Sequence, residues 1–174
     1  MNYVEARSQI QDGDLIAVCG TKGLLAPFTR FFTRSRYTHV GVAFWMADGL
    51  WLAEINAGAN HATPLSQFTG NDFDVYIKPV QCTGNMAAAI QTALRVRINY
   101  GYASLAVIGL MNWLRIKAFI HARRNISCAG FCVMVYELAG LPEHTRILSP
   151  ADLAAILTLR LSVLGTVDVV LSPV

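Results

Sequence analysis

Two runs rich in β-branched and aromatic residues, Thr38–Met46 and Leu50–Asn56, meet across Ala47-Asp48-Gly49. Asp-Gly is a favoured hairpin turn, because both positions tolerate the positive φ that a tight two-residue loop requires. A hairpin here constrains the chain more than any other local feature, since side chains then alternate between two faces. Counting back across a two-residue Asp48-Gly49 turn, His39, Gly41 and Ala43 share a face with Glu54 and Asn56. The same count sets Glu54 opposite Ala43 and Asn56 opposite Gly41. A direct contact between Glu54 and His39 then requires twist, a bulge or a slipped register.

Around this hairpin the pattern changes along the chain. Val4–Ile10 reads as a short opening helix, ended by Asp12-Gly13, and Asp14–Gly20 as a buried strand entered through a Gly-Asp turn. Phe73–Lys78 alternates cleanly and stops at Pro79. Beyond it, Asn85–Arg97, Tyr102–Ala122, Cys128–Ala139 and Pro150–Thr158 read as helices, the third closed by Gly140. Thr166–Leu171 is a candidate final strand. Strands gather first and helices later, with no internal repeat or linker between them. That order predicts an α+β fold, an antiparallel sheet packed against helices, in a single domain over residues 1–174.

Hydrophobic residues make up 54% of the 174 residues and charged ones 14%, where a soluble domain carries about a quarter charged. Disorder and a coiled coil are both excluded by that balance. A net charge of +3 is too small and too scattered for a nucleic-acid partner. MNYVEARSQIQDGD shows no basic segment leading into an apolar one. The expectation is a cytoplasmic protein, or one delivered without a classical signal peptide. Ile98–Leu114 is a 17-residue stretch without charge, short of the roughly 20 residues a spanning helix needs and interrupted by Asn99, Gly101, Ser104 and Asn112. It reads as a core helix, and no transmembrane helix is expected. The alternative is a membrane-surface contact through residues 98–114 or the Phe/Arg-rich residues 24–36.

The four cysteines, Cys19, Cys82, Cys128 and Cys132, form neither a disulfide framework nor a zinc-ribbon spacing. No metal centre and no cofactor are expected. Ser127 is a fair N-cap, which puts Cys128 in the first turn of an apolar helix, where the helix dipole favours a thiolate. Cys132, one turn deeper, has no such help. Among His39, His61, His121 and His144, only His39 opens a strand beside polar residues on the same face. Glu54 and Asn56 are polar in an otherwise apolar strand, and either can orient an imidazole. From these residues alone, packing roles for the cysteines and a structural role for His39 stay open.

Three segments together resemble the NlpC/P60 superfamily of papain-like thiol hydrolases, specifically its circularly permuted branch. Gly13-Asp14-Leu15-Ile16 resembles the family's entry strand. Thr38-His39-Val40-Gly41-Val42, with Asp48-Gly49 and Ala53-Glu54, resembles its His strand, turn and acid strand. Ser127-Cys128-Ala129-Gly130-Phe131-Cys132-Val133, running on to Ala139-Gly140-Leu141, resembles its Cys helix, and Tyr100-Gly101-Tyr102 its aromatic stretch. His39 precedes Cys128, the reverse of the papain order, as in the permuted branch. Members commonly carry Ser-Glu after the cysteine, where this chain has Ala129-Gly130. The resemblance implies a permuted papain-like fold with Cys128 as nucleophile, His39 as base and Glu54 as its partner. It implies cleavage of an amide bond, with cell-wall peptides (peptidoglycan) as the first substrate class. Acyl lipids, cut by a hydrolase or acyltransferase, are the second, and a non-catalytic interaction module is the third reading.

Overall fold

The computed structural model describes residues 2–20, 35–47, 49–56, 58–100, 125–142, 150–155 and 157–163. Asn2 caps the opening helix α1 (Tyr3–Arg7), and Glu5 returns the bond in a capping box. Five residues cannot hold a helix by propensity. Burial of Ala6, followed by Ile10, ties it to the sheet behind it.

Five strands come next along the chain. They are β1 (Leu15–Cys19), β2 (His39–Met46), β3 (Gly49–Ile55), β4 (Asn60–Pro64) and β5 (Asp72–Tyr76). After β4 a 3-10 turn spans Leu65–Phe68. Helix α2 (Met86–Arg95) is capped by the Asn85 side chain, which accepts the Ala88 N–H. Two-residue strands β6 (Asn99–Tyr100) and β7 (Asn125–Ile126) pair in parallel. Helices α3 (Cys128–Leu138) and α4 (Pro150–Ala155) come next, then β8 (Leu159–Val163).

The large sheet has the order β4-β3-β2-β1-β5-β8 with every pairing antiparallel. The protein is therefore α+β, with strands mostly before helices as the sequence suggests. β1 is central and buried along its whole length, because apolar clusters cover both sheet faces. On one face Ala17, Val40, Val42, Ala53 and Ile55 meet α2, α3 and α4. On the other, Ile16, Val18, Ala43, Leu52 and Phe73 are closed by Ala6, Ile10 and Leu65. Helix α3 is apolar nearly all round, the composition of a helix buried rather than half exposed. Tyr136 in its last turn donates its hydroxyl to the Gly13 carbonyl at 3.0 Å, pinning α3 to the turn before β1. Gly13 holds φ +92°, a conformation that favours glycine.

Several expectations need adjusting. Met46 pairs with Gly49, so Gly49 belongs to the ladder rather than to the turn, and the register slips by two from the counted one. Faces are unchanged by an even slip. Continued along the strands, this register sets Glu54 across from Gly41 and Asn56 across from His39. Four strands were not anticipated, the two-residue β6 and β7 among them. β4 is built from Asn60-His61-Ala62-Thr63-Pro64, which has no apolar alternation, and β8 begins directly after the segment that reads as the last helix, which itself stops at Ala155. The expected helix over 102–122, the final strand over 166–171, most of residues 24–36, His121 and His144 lie outside the described residues. Among the described residues no helix is long and apolar enough to cross a membrane.

Candidate active site

Ser127 caps α3 as the sequence suggests, its hydroxyl accepting the Gly130 N–H at 3.2 Å. Cys128 is thus the first helical residue, beside backbone N–H groups that have no intrahelical partner. It belongs to the helix-side core. His39, by contrast, shares its sheet face with Val18 across the β1–β2 ladder, on the face away from α3. The two meet because His39 is the first residue of β2. The end of α3 approaches there, and the backbone N–H of Val40 also reaches the Cys128 sulfur. The sulfur and the imidazole are close enough that each shifts the other's proton affinity.

Glu54, 4% exposed at its side chain, is hydrogen-bonded through Oε2 to His39 Nε2. Its other oxygen accepts the Thr63 hydroxyl at 2.5 Å and lies 3.2 Å from His61 Nε2. With Nε2 held by Glu54, Nδ1 is the ring nitrogen left for the thiol. Phe68 stacks on the His39 ring, centroids 6.3 Å apart and planes 8° apart, fixing its tilt. The cysteine, histidine and carboxylate singled out in the sequence are therefore brought together. Asn56 is not on His39; its amide contacts His61 Nε2 at 3.2 Å. The two-residue slip accounts for the Glu54 contact. It moves Glu54 to a diagonal position from His39, within reach of a long side chain.

Electrostatics follow from this geometry. Burial alone disfavours a charged His39, but the Cys128 thiol and the Glu54 carboxylate outweigh it and push the imidazolium pKa up to about 10. Burial likewise pushes the Cys128 thiol up. His39, then the N–H groups of Val40 and Ala129, reverse that and leave it below the ordinary thiol range. Glu54 is raised by burial and lowered more by His39, Thr63 and His61, so it stays ionised. The arrangement favours a thiolate beside an imidazolium, with a carboxylate behind the ring. Cys132, fully buried one turn on, is driven well above the usual thiol range by burial. Cys82 is raised for the same reason, its sulfur pointing to the Tyr136 carbonyl at 3.6 Å.

His61, Thr63 and Phe68 escaped the sequence reading. Each comes from β4 or the turn after it, and the polar run that makes β4 carries no strand signal. With Asn56 and Gln67 they wall an open cavity of about 350 Å³ on the Glu54 side of the imidazole. Among the described residues no group of three His, Cys, Asp or Glu side chains is arranged to hold a metal ion.

No family model matches the sequence, and no curated protein matches it. Among solved structures the chain is similar to metalloprotein yiiX from Escherichia coli O157:H7. The two share 16% identity with a TM-score of 0.52, over 91% of this chain and 98% of that one. At that identity the likeness shows a shared fold alone.

Proposed function

We propose that the protein is a cysteine-dependent hydrolase on a permuted papain-like fold, with Cys128, His39 and Glu54 as its triad. One observation carries this reading. A thiol at a helix start and an imidazole at a strand start perturb each other in opposite directions, and a buried carboxylate holds the imidazole's far nitrogen. That is the activated-nucleophile arrangement, base and orienting group in series. The Cys128 thiolate attacks the substrate carbonyl carbon, and the carbonyl π electrons move to oxygen. The Cys128 backbone N–H at the helix start is placed to stabilise that oxyanion. Collapse of the tetrahedral adduct expels the amine, which takes the His39 proton. Water then gives a proton to His39 as its oxygen attacks the thioester, and the thiolate leaves.

The resemblance to the permuted NlpC/P60 branch supports an amide in a cell-wall peptide as substrate. The test is hydrolysis of peptidoglycan fragments set beside acyl lipids presented in liposomes, each with and without a metal chelator. Release of new amine from the peptide fragments, insensitive to chelator and abolished in Cys128→Ala, is expected. Turnover of the lipid alone moves the substrate class to acyl lipids. Chelator-sensitive turnover that survives Cys128→Ala contradicts the thiol mechanism.

A further inference from the structure

We propose that His61 is a positioning residue for this site, a second histidine on the Glu54 carboxylate whose charge tunes the Cys128–His39 pair. The inference rests on the thiol-hydrolase reading and deepens it. His61 lies on β4 directly across from Glu54. Its Nδ1 is 2.9 Å from the Ala59 carbonyl, which only accepts, so Nδ1 carries a hydrogen. The remaining nitrogen, Nε2, then faces two groups of opposite demand, the Asn56 amide nitrogen and Glu54 Oε1, each at 3.2 Å. A neutral ring offers Nε2 as an acceptor, which suits Asn56 and opposes Glu54. A protonated ring offers an N–H, which suits Glu54 and opposes Asn56. The ring thus changes partner without moving.

Exposure makes that exchange accessible. The His61 side chain is 40% exposed, against 4% for Glu54, so a proton from solvent reaches the buried carboxylate's neighbour. Among the described residues little else nearby carries charge. From β3 come Glu54 and the uncharged Asn56, and from β2 His39, through Glu54. The 3-10 turn supplies Gln67 and Phe68. On the other face of β4, α2 carries Arg95 as its one charged residue.

The consequence has a definite sign. Glu54 holds the imidazolium, but its negative charge also opposes a thiolate at Cys128. A charged His61 cancels part of that field, so the thiolate persists to lower pH. A neutral His61 supplies no such field.

The rate of Cys128 alkylation by iodoacetamide against pH, mapped by mass on the intact chain, reads this without a substrate. In His61→Asn the acid limb should rise by roughly half a pH unit to one unit, while the alkaline region stays unchanged. His61→Arg, which keeps the charge, should leave the limb at or below that of wild type. Coincident acid limbs in wild type and His61→Asn, with Cys128 still the fastest thiol, overturn the inference. So does an Arg variant that follows Asn. A wild-type Cys128 no faster than Cys82 contradicts the hydrolase reading itself.

Discussion

At the scale of single residues, Glu54 is the side chain on which the site turns. It is buried, ionised and shared, and its bond to His39 Nε2, together with the Cys128 sulfur, outweighs burial and lets the imidazole keep its proton. Glu54→Gln removes the charge and keeps the shape. Because the folded His39 pKa is raised, its imidazolium persists through neutral pH and is lost as pH rises through about 10. The pH–rate profile should therefore be a bell whose alkaline limb lies near that value. In Glu54→Gln that limb should fall by more than about one unit, with turnover down about 10-fold or more. NMR titration of the His39 ring checks it. Asn56→Ala should leave the limb in place, since Asn56 contacts His61 rather than His39. An unchanged limb in Glu54→Gln, with a loss in Asn56→Ala, transfers the role to Asn56.

At the scale of elements, the β2–β3 hairpin decides which polar residues meet. Its faces were legible in the sequence, because side chains alternate strictly and an even slip leaves parity intact. Its register was not, because Ala47-Asp48-Gly49 accommodates a two-residue loop in either frame. Gly41 is where the observed register becomes visible in packing. A β-carbon there would sit 2.6 Å from the Leu52 side chain and 2.8 Å from the Ala53 carbonyl oxygen. Gly41→Ala should cost roughly 1–3 kcal/mol by overpacking, measured by urea unfolding. It should also lower turnover, since residue 41 lies between His39 and Ala43 on the site face. A fully stable, fully active Gly41→Ala contradicts this register. The α3 start was readable from Ser127 and Cys128, because capping is local chemistry. β4 was not, because its pairing comes from Glu54, Ala53 and Leu52 across the ladder rather than from its own residues.

At the scale of the whole molecule, the site exists only where two layers dock. Cys128 belongs to the helical core, and His39 and Glu54 to the opposite face of the sheet. They join where the start of α3 overhangs the start of β2. The order of strands and helices carried the α+β class, and the resemblance to the permuted branch grouped these three residues. The addition of β8 beside β5 at the far edge depends on long-range pairing that no local pattern encodes. The proposed activation of Cys128 is thus a property of the folded whole, and it tests the account most directly. The four cysteines should be mapped by mass after brief iodoacetamide treatment at mildly acid pH, in wild type and in His39→Ala, native and in urea. Cys128 should be labelled first in native wild type. It should lose that advantage in His39→Ala and share one common rate with the other three thiols in urea. First labelling of Cys19, Cys82 or Cys132, or a Cys128 whose native reactivity is untouched by His39→Ala, contradicts the account.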